Sequence, residues 1–343
     1  MRLLIIGGTR FVGRHLLDAA LAGCHQVTLF NRGQSLAGGA VVLPAGTTWL
    51  QGDRDADLSA LTGPASAGGQ WDAVVDTCAY LPAQAQRMAQ ALAGRVGRYV
   101  LISSVSAYAS AAQPNPEDAP LATLPDPDTT VVDGRSYGPL KALCEAAVLQ
   151  QFGTERTLLL RPGLVVGPFD PTQRFTWWPA RLARAAQDGL PVLAPGAPQR
   201  ALQCIDARDL AAFVLRLLAD GASGAFNAVA PPGFTTMAGL LQACALAAGG
   251  QPTLRWVADA DLLAQGVQPW VDLPLWLPAG GEHAAFMHVP TLRAQAAGLH
   301  IRPLAQTVAD TLAWWQALPA PAQQFSLAGL SAQREAAVLA ALG

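Results

Sequence analysis

The sequence has none of the features that mark membrane proteins or nucleic-acid-binding proteins. No apolar stretch approaches the ~20 residues that a membrane-spanning helix needs. The N-terminus leads straight into a strand-like segment, so we expect no signal peptide. Basic residues are not in excess, since 22 Lys and Arg stand against 24 Asp and Glu. We therefore expect neither a membrane nor a nucleic acid among the partners.

Closely spaced cysteines and histidines are also missing. The five cysteines form no CxxC pair and the five histidines form no HExxH motif, so the sequence predicts no disulfide framework and no metal site. His283 and His288 lie five apart and are interpreted as solvated or structural. An odd, scattered set of cysteines is typical of a reducing compartment, and we expect a cytoplasmic protein.

Charged residues are few, at 13%, whereas 51% of the 343 residues are hydrophobic, which is enough for a large core. In the first half, strand-like and helix-like segments alternate. The strand-like segments are 2–6, 26–30, 47–51, 71–78, 98–104 and one beginning at 156, and the helix-like segments are 11–23, one after Pro82, and 136–152. This alternation predicts an α/β fold with a Rossmann-type doubly wound parallel sheet, whose ligands bind beyond the carboxyl ends of the strands.

The second half is richer in Gly, Pro and Trp. We expect residues 1–167 to form the sheet domain, which the motifs below assign to NAD(P) binding, with 201–230 returning to it. Residues 168–200 and 231–343 are expected to form a smaller C-terminal substrate-binding portion. Tryptophans there could line a pocket but more often anchor a core, which is the interpretation we prefer for Trp177, Trp178, Trp270 and Trp276.

The opening stretch, MRLLIIGGTRFVGRHLLDAA, reads as a strand, a glycine-containing turn and a helix. Gly7 permits a tight turn with positive φ, and Gly13 lets the helix pack closely on the sheet. Backbone N–H groups at the helix start would then face a pyrophosphate. The residues of this turn predicted to bind a dinucleotide are Gly7, Thr9, Arg10, Phe11, Val12 and Gly13.

The second strand ends in FNRG, where an acidic residue would bind the ribose hydroxyls of NAD. Asn31 and Arg32 stand there instead, and an arginine suits a 2′-phosphate. Arg10 lies in the first turn, where its side chain can approach the same edge of the cofactor. We therefore expect NADP(H) in preference to NAD(H), the alternative being that Arg32 is a solvated loop residue.

Further candidate cofactor contacts follow the third and fourth strands. Asp53 could accept a hydrogen bond from the adenine amino group, with Arg54 beside it. Cys78 and Ala79 are small enough to let a ribose pass close. Cys78 has no neighbouring base or metal ligand in sequence, so it is interpreted as packing and not as a nucleophile.

The segment SYGPLKALCE places Tyr137 and Lys141 four apart on a predicted helix, so both side chains project from one face. A nearby ammonium is expected to lower the pKa of the phenol from about 10, which suits a general acid/base. A serine hydroxyl at the end of the fifth strand would orient the reacting oxygen. Ser103, Ser104 and Ser106 compete for that role.

Together these motifs resemble the extended short-chain dehydrogenase/reductase family, which includes NAD-dependent epimerases and dehydratases. GGTRFVG is similar to its GxxGxxG turn, above all in the atypical GGTRF members, and YGPLK is similar to its YxxxK motif. In SSVSAY, the family's register relative to Tyr108 implies that Ser104 is the catalytic serine. The resemblance also implies that the backbone around Pro162 approaches the nicotinamide and that Arg200 binds a substrate diphosphate.

Departures from the family pattern reduce the number of reactions that we expect this protein to catalyse. Dehydratases of the family carry an Asp-Glu pair directly after the catalytic residue, whereas Val105 and Ser106 stand here, so we do not expect water elimination. Leu164 falls near the asparagine with which sugar-nucleotide epimerases hold a phosphate, which weakens that assignment.

We expect an NADP(H)-dependent oxidoreductase that transfers hydride between the nicotinamide and a carbonyl or alcohol of a small molecule. Ser104, Tyr137 and Lys141 are the expected catalytic residues, and Ser104, Tyr137 and Arg200 are the expected substrate contacts. The alternatives are a NAD-dependent sugar-nucleotide epimerase and a non-catalytic NAD(P)-binding sensor or RNA-associated protein. Helices near 82–94 and 137–152 are candidates for a homodimer interface.

Overall fold

The computed structural model describes residues 1–36, 42–63, 70–126 and 128–342. The chain divides into two compact units. The first unit comprises Met1–Gly163, Ala207–Val229 and Val289–His300, and the second comprises Leu164–Asp206, Ala230–His288 and Ile301–Gly343. This division differs from the expected boundaries in that the chain returns to the first unit at residue 207 and again at residue 289.

Thirteen strands and eleven α-helices lie in the described residues. The strands are β1 (Arg2–Ile6), β2 (Gln26–Asn31), β3 (Thr47–Gln51), β4 (Trp71–Asp76), β5 (Val96–Ile102), β6 (Thr157–Pro162), β7 (Leu164–Val166), β8 (Val192–Pro195), β9 (Ala201–Leu202), β10 (Cys204–Asp206), β11 (Gly224–Ala228), β12 (Thr235–Thr236) and β13 (Leu254–Val257). The helices are α1 (Phe11–Ala22), α2 (Ser59–Thr62), α3 (Pro82–Leu92), α4 (Tyr137–Phe152), α5 (Arg174–Asp188), α6 (Ala207–Ala219), α7 (Met237–Ala247), α8 (Asp259–Ala264), α9 (Leu292–Ala296), α10 (Leu304–Gln316) and α11 (Ala332–Ala341).

The first unit is built on a seven-stranded sheet in the order β11-β6-β5-β4-β1-β2-β3. Every neighbouring pair is parallel, and α1 packs on α6 while α3 packs on α4. Leu4 and Ile6 share one core cluster with α3 and α4, as the two-residue period of a strand requires. The predicted α/β fold with a Rossmann-type parallel sheet is therefore confirmed, and the strand order reverses direction between β1 and β4.

A buried ion pair joins the loop after β3 to the end of β4. The Asp76 carboxylate is fully buried and accepts hydrogen bonds from both terminal nitrogens of Arg54, at 2.9 and 2.8 Å, and from the Tyr99 hydroxyl at 2.7 Å. Burial opposes ionisation of this carboxyl, but the adjacent guanidinium holds the pKa of Asp76 below its usual value. The pair therefore persists as ions inside the core.

The second unit has its own hydrophobic core, which includes Trp177, Trp178 and Trp276, while Trp270 packs against it half-buried. The tryptophans are thus core anchors, in agreement with the preferred interpretation. Glu335 on α11 accepts hydrogen bonds from the Arg181 side chain of α5 at 2.7 Å and from the backbone N–H of Leu193 in β8 at 3.0 Å, so one buried carboxylate fastens the last helix to the unit.

We expect Asp76→Asn to lower the free energy of unfolding by about 3–5 kcal/mol, because it leaves the Arg54 guanidinium buried without its counter-charge. Asp72→Asn on the same strand is the matched control, since the Asp72 carboxylate lies 3.6 Å from Arg2 in an exposed pair and its loss should cost less than about 1 kcal/mol. Urea unfolding measures both. Equal decreases in the free energy of unfolding of the two variants would contradict the expected contribution of the buried Arg54–Asp76 pair to stability.

Candidate active site

The carboxyl end of β1 forms a narrow cradle at the start of α1. Gly7 has a φ of +102°, which favours glycine. A Cβ on Gly13 would lie 2.7 Å from the backbone nitrogen of Gly8, so only glycine lets the helix approach the turn this closely. Thr9 lies in the turn, and Phe11 and Val12 open the twelve-residue helix. The open backbone N–H groups of this helix start fit the pyrophosphate of a dinucleotide.

Two exposed arginines lie at the neighbouring strand ends. The Arg10 Nε donates a hydrogen bond to the Ser35 hydroxyl at 3.1 Å, and Arg32 directly follows β2 with an exposed side chain. The charges of both arginines are available at the edge where a 2′-phosphate is expected. The sequence did not indicate Ser35 as a site residue, because it lies 25 residues from Arg10, its hydrogen-bond partner.

The Asn31 side chain forms hydrogen bonds within the protein, and its predicted cofactor contact stays a prediction. Its side-chain nitrogen donates to the Gly7 carbonyl at 2.8 Å, and its side-chain oxygen accepts from the Gly33 N–H at 2.9 Å and from the Trp49 indole at 3.2 Å. The amide is therefore engaged by the protein itself. It holds the turn after β2 against the turn after β1.

The Arg54 guanidinium is also engaged by the protein, because it lies buried against the Asp76 carboxylate. Asp53 accepts a hydrogen bond from the Asp55 N–H at 3.0 Å, which shapes the loop and leaves its predicted adenine contact as an expectation. Burial raises the pKa of the half-buried Cys78 thiol. A thiol that stays protonated is a poor nucleophile, which agrees with the packing role.

Ser104 and Tyr137 are brought together beyond the carboxyl end of β5. Ser104 caps a short 3-10 turn, its hydroxyl oxygen accepting from the Ser106 N–H at 3.1 Å, and it lies close enough to the Tyr137 phenol to lower the pKa of that phenol in part. A Cβ on Gly138 would overlap the Ser106 carbonyl oxygen, so glycine allows the first turn of α4 to touch this loop. Of the three candidate serines, Ser104 is the one that acts on the pKa of Tyr137, and the Ser103 hydroxyl is buried without a partner among the described residues.

Lys141, one helical turn after Tyr137, is only 3% exposed. Its ammonium donates to the Ala79 carbonyl at 2.8 Å and to the Ile102 carbonyl at 2.7 Å. Burial lowers the pKa of this ammonium. Ala79 therefore contributes to the site through its backbone carbonyl, which binds Lys141, since its side chain is fully buried.

The predicted lowering of the pKa of Tyr137 by Lys141 is wrong for this structure. Burial raises the pKa of the Tyr137 phenol above its ordinary value, and the adjacent Ser104 side chain opposes that shift only in part. The ammonium of Lys141 is directed to two backbone carbonyls instead. The phenol therefore stays protonated at neutral pH, which makes it a proton donor.

Tyr80 is a site residue that the sequence interpretation missed. Its ring centroid lies 6.5 Å from that of Tyr137 and 5.7 Å from the Lys141 ammonium, and its side chain is 46% exposed. The Gln84 side-chain oxygen accepts from the Tyr80 N–H at 3.1 Å and fixes the backbone there. The only signal in the sequence was an aromatic residue directly after the small pair Cys78 and Ala79.

A second buried ion pair supports the loop that carries Ser104. Arg161 on β6 donates to both oxygens of Glu145 on α4, at 3.0 and 2.6 Å, and to the Tyr108 hydroxyl at 3.1 Å. Tyr108 in turn donates to the Asn227 side-chain oxygen at 2.7 Å. Pro162, the expected neighbour of the nicotinamide, is the buried last residue of β6 and directly follows this arginine.

Arg200, in the second unit, does not present a free guanidinium for a substrate diphosphate. Its two terminal nitrogens donate to the Asp259 carboxylate at 2.9 and 2.6 Å, and one of them also donates to the Leu277 carbonyl. Asp259 further accepts from the Trp276 indole at 2.8 Å. The structure therefore gives Arg200 a structural role in place of the predicted phosphate contact.

No helix within the described ranges is both long and apolar enough to cross a bilayer. Within the same ranges, no group of His, Cys, Asp and Glu side chains has the arrangement of a metal site.

Comparison with known proteins places this geometry in a family. The sequence model described as "NAD dependent epimerase/dehydratase family" matches residues 3–228. A chloroplast stem-loop binding protein of 41 kDa from Arabidopsis thaliana is 29% identical over 260 residues, which cover 72% of this chain and 63% of the relative. The chain thus matches less than two thirds of that relative's length.

Solved structures of similar fold include the Bordetella bronchiseptica enzyme WbmH in complex with NAD⁺, with a TM-score of 0.63 at 17% identity over 92% of this chain and 98% of that one. UDP-glucuronic acid 4-epimerase from Bacillus cereus in complex with NAD gives a TM-score of 0.62 at 16% identity, with the same coverage of 92% and 98%. These likenesses establish the fold. Because the family model spans residues 3–228, most of the sequence, the chain belongs to the NAD dependent epimerase/dehydratase family.

Proposed function

We propose that the protein is an NADP(H)-dependent oxidoreductase that reduces a carbonyl group of a small molecule, with Tyr137 as the proton donor. The observation that carries this proposal is the half-buried Tyr137 phenol, which lies beside Ser104 and one helical turn before Lys141, whose ammonium two backbone carbonyls hold. A neutral phenol can protonate a carbonyl oxygen as hydride reaches the carbon. The second unit is proposed to bind the substrate.

The cofactor preference rests on the charges at the ends of β1 and β2. The cradle between Gly7 and Gly13 would hold the pyrophosphate, and Arg10, Arg32 and Ser35 would hold a 2′-phosphate. Among the described residues at the end of β2, Asn31 and Arg32 stand where a carboxylate would select the free ribose hydroxyls of NAD. Guanidinium groups bind phosphate oxygens with charge-assisted hydrogen bonds.

The catalytic residues divide the work as follows. A nicotinamide cofactor held by the cradle between Gly7 and Gly13 would supply the hydride to the carbonyl carbon. The Tyr137 O–H donates its proton to the substrate oxygen, and the Ser104 hydroxyl donates a hydrogen bond to the same oxygen while charge develops there. Lys141 holds the first turn of α4 by its two carbonyl contacts and thereby keeps Tyr137 beside Ser104. Val105 and Ser106 offer no carboxyl pair for water elimination.

A NAD-dependent sugar-nucleotide epimerase is the second candidate, because two solved structures of similar fold are described as NAD-bound UDP-sugar 4-epimerases. The arginines at the 2′-phosphate edge favour the first candidate. The name of the chloroplast relative raises a third, non-catalytic role with RNA. The paired Ser104 and Tyr137 side chains favour catalysis over that role.

We expect NADPH to bind at least about tenfold more tightly than NADH, and Arg32→Gln to remove most of that preference, because a charged hydrogen bond to phosphate contributes about 1.5–3 kcal/mol. Fluorescence titrations of both cofactors at one ionic strength measure it. Arg216→Gln is the control, since this exposed arginine on α6 pairs with Asp220. Tighter binding of NADH that is unaffected by Arg32→Gln, or one equivalent of NAD released from the denatured protein, would favour the epimerase.

We expect Gly13→Ala to weaken the binding of NADPH and NADH alike by about tenfold or more, because the new methyl group would press against the backbone of Gly8, which forms the cradle. Gly134→Ala is the matched control, because a Cβ on Gly134 meets no atom within 4 Å. Both variants should first be compared by circular dichroism and thermal unfolding. If a folded Gly13→Ala variant binds NADPH and NADH with unchanged affinity, the assignment of the cradle to the cofactor site is wrong.

We expect carbonyl reduction to be independent of pH up to about pH 9 and to fall only above about pH 10, because the proton donor is the neutral phenol and its pKa is raised. NADPH oxidation with a panel of aldehydes and ketones provides the rate. Tyr137→Phe should lower kcat by about 100-fold or more.

Ser103→Ala is the control for the tyrosine variant, because it removes a neighbouring hydroxyl that lacks a partner among the described residues, and it should leave the rate unchanged. Full turnover by Tyr137→Phe would contradict the assignment of the proton donor and favour the non-catalytic role.

A further inference from the structure

A second concave region lies in the first unit at the amino-terminal edge of the sheet, opposite the edge that carries the candidate active site. It forms a cavity of about 590 Å³. Four arginines line it, Arg2, Arg95, Arg98 and Arg156, and among its described lining residues Asp72 is the single acid. The chain as a whole has a formal net charge of −2, so this local excess of positive charge stands out against an acidic background.

The parallel topology gathers these arginines. Arg2 opens β1, Arg98 lies near the start of β5, and Arg156 directly precedes β6. Strands β1, β4, β5 and β6 are adjacent in the sheet, and Ala73 of β4 is in register with both Leu3 and Arg98. Residues far apart in sequence are thus held at one edge by the most rigid part of the unit.

Three of the four guanidinium groups donate to backbone carbonyls and keep further donors, whereas the Arg2 guanidinium lies 3.6 Å from the Asp72 carboxylate. Arg95 donates to the Thr62 carbonyl at 2.7 Å, Arg156 to the Phe152 carbonyl at 3.2 Å, and Arg98 to the Ala222 carbonyl. A guanidinium has five N–H donors. Within the part of the chain that the structure describes, each of these three arginines uses one donor group on the protein, which leaves the others for a ligand.

We propose that this cavity binds a small anion that carries several phosphate groups, such as an oligophosphate or a nucleoside polyphosphate. Planar guanidinium forks match phosphate oxygens, and four of them around one concave volume can contact several phosphates at once. A nucleic acid would require an extended basic stripe and an excess of basic residues, which the composition lacks. The ligand is therefore of small-molecule size.

The test is calorimetric titration of the full chain with inorganic tripolyphosphate at low salt, with one equivalent of NADPH present so that the carboxyl edge of the sheet is occupied. We expect one site, weakened at least about tenfold in the double variant Arg95→Gln with Arg98→Gln, and weakened by added salt. The double variant Arg2→Gln with Arg156→Gln repeats the test while the hydrogen bonds of Arg95 and Arg98 to backbone carbonyls stay intact. Arg87→Gln is the control, because this α3 arginine contacts the Asp55 and Ala56 carbonyls outside the cavity and should leave binding unchanged.

Three results would overturn the proposal. The first is no binding of tripolyphosphate below about 10 mM. The second is an equal loss in Arg87→Gln, and the third is tighter binding of a single-stranded RNA oligomer than of tripolyphosphate at the same salt. Since the titration needs no substrate, it is independent of the proposed reaction. If NADPH does not bind, titration of the Arg32→Gln variant with tripolyphosphate, without NADPH, still measures anion binding at the cavity. Failure of the proposed cofactor site can therefore be distinguished from failure of the proposed cavity site.

Discussion

The ammonium of Lys141 is the interaction on which the rest of the candidate site depends. It is buried, and it joins the carbonyl of Ala79, just after β4, to the carbonyl of Ile102, the last residue of β5. An isolated ammonium in such a place would be strongly unfavourable, so the two carbonyls make the burial possible. Since Lys141 belongs to α4, the same contacts fix the start of that helix against the ends of two central strands.

Tyr137 follows from that constraint. Its position one turn before Lys141 and the close approach of Gly138 to the Ser106 carbonyl leave the phenol against Ser104. The environment that holds it also half-buries it, and this partial burial favours the neutral phenol and raises its pKa. The positioning of the tyrosine and its protonation state thus have one cause, and this cause favours proton donation over proton abstraction.

Much of this could be predicted from the sequence, and the limits have physical reasons. The buried apolar strands, Gly7 and Gly13, and the spacing of Tyr137 and Lys141 are local patterns, so they predicted the sheet, the cradle and the shared helix face. The partners of Arg54 and Arg200 are Asp76 and Asp259, 22 and 59 residues away. An arginine presents the same charge in sequence whether it binds a ligand or a buried carboxylate, and only the fold distinguishes the two. The pKa of Tyr137 was mispredicted for a related reason, because spacing places Lys141 nearby but does not reveal the carbonyls that compete for its ammonium.

The polarity of the parallel sheet explains why anions are expected at both of its edges by different means. At the carboxyl edge the start of α1 presents backbone N–H groups, so glycines and a helix dipole can hold a pyrophosphate without side-chain charge. At the amino edge the helices end, and their carbonyls repel anions and attract cations. Arg95 and Arg156 contact the last residues of α2 and α4 in this way. An anion site at that edge therefore needs arginine side chains, and their positive charge must exceed the partial negative charge of the helix ends. Four arginines and one carboxylate line the cavity, which meets that condition.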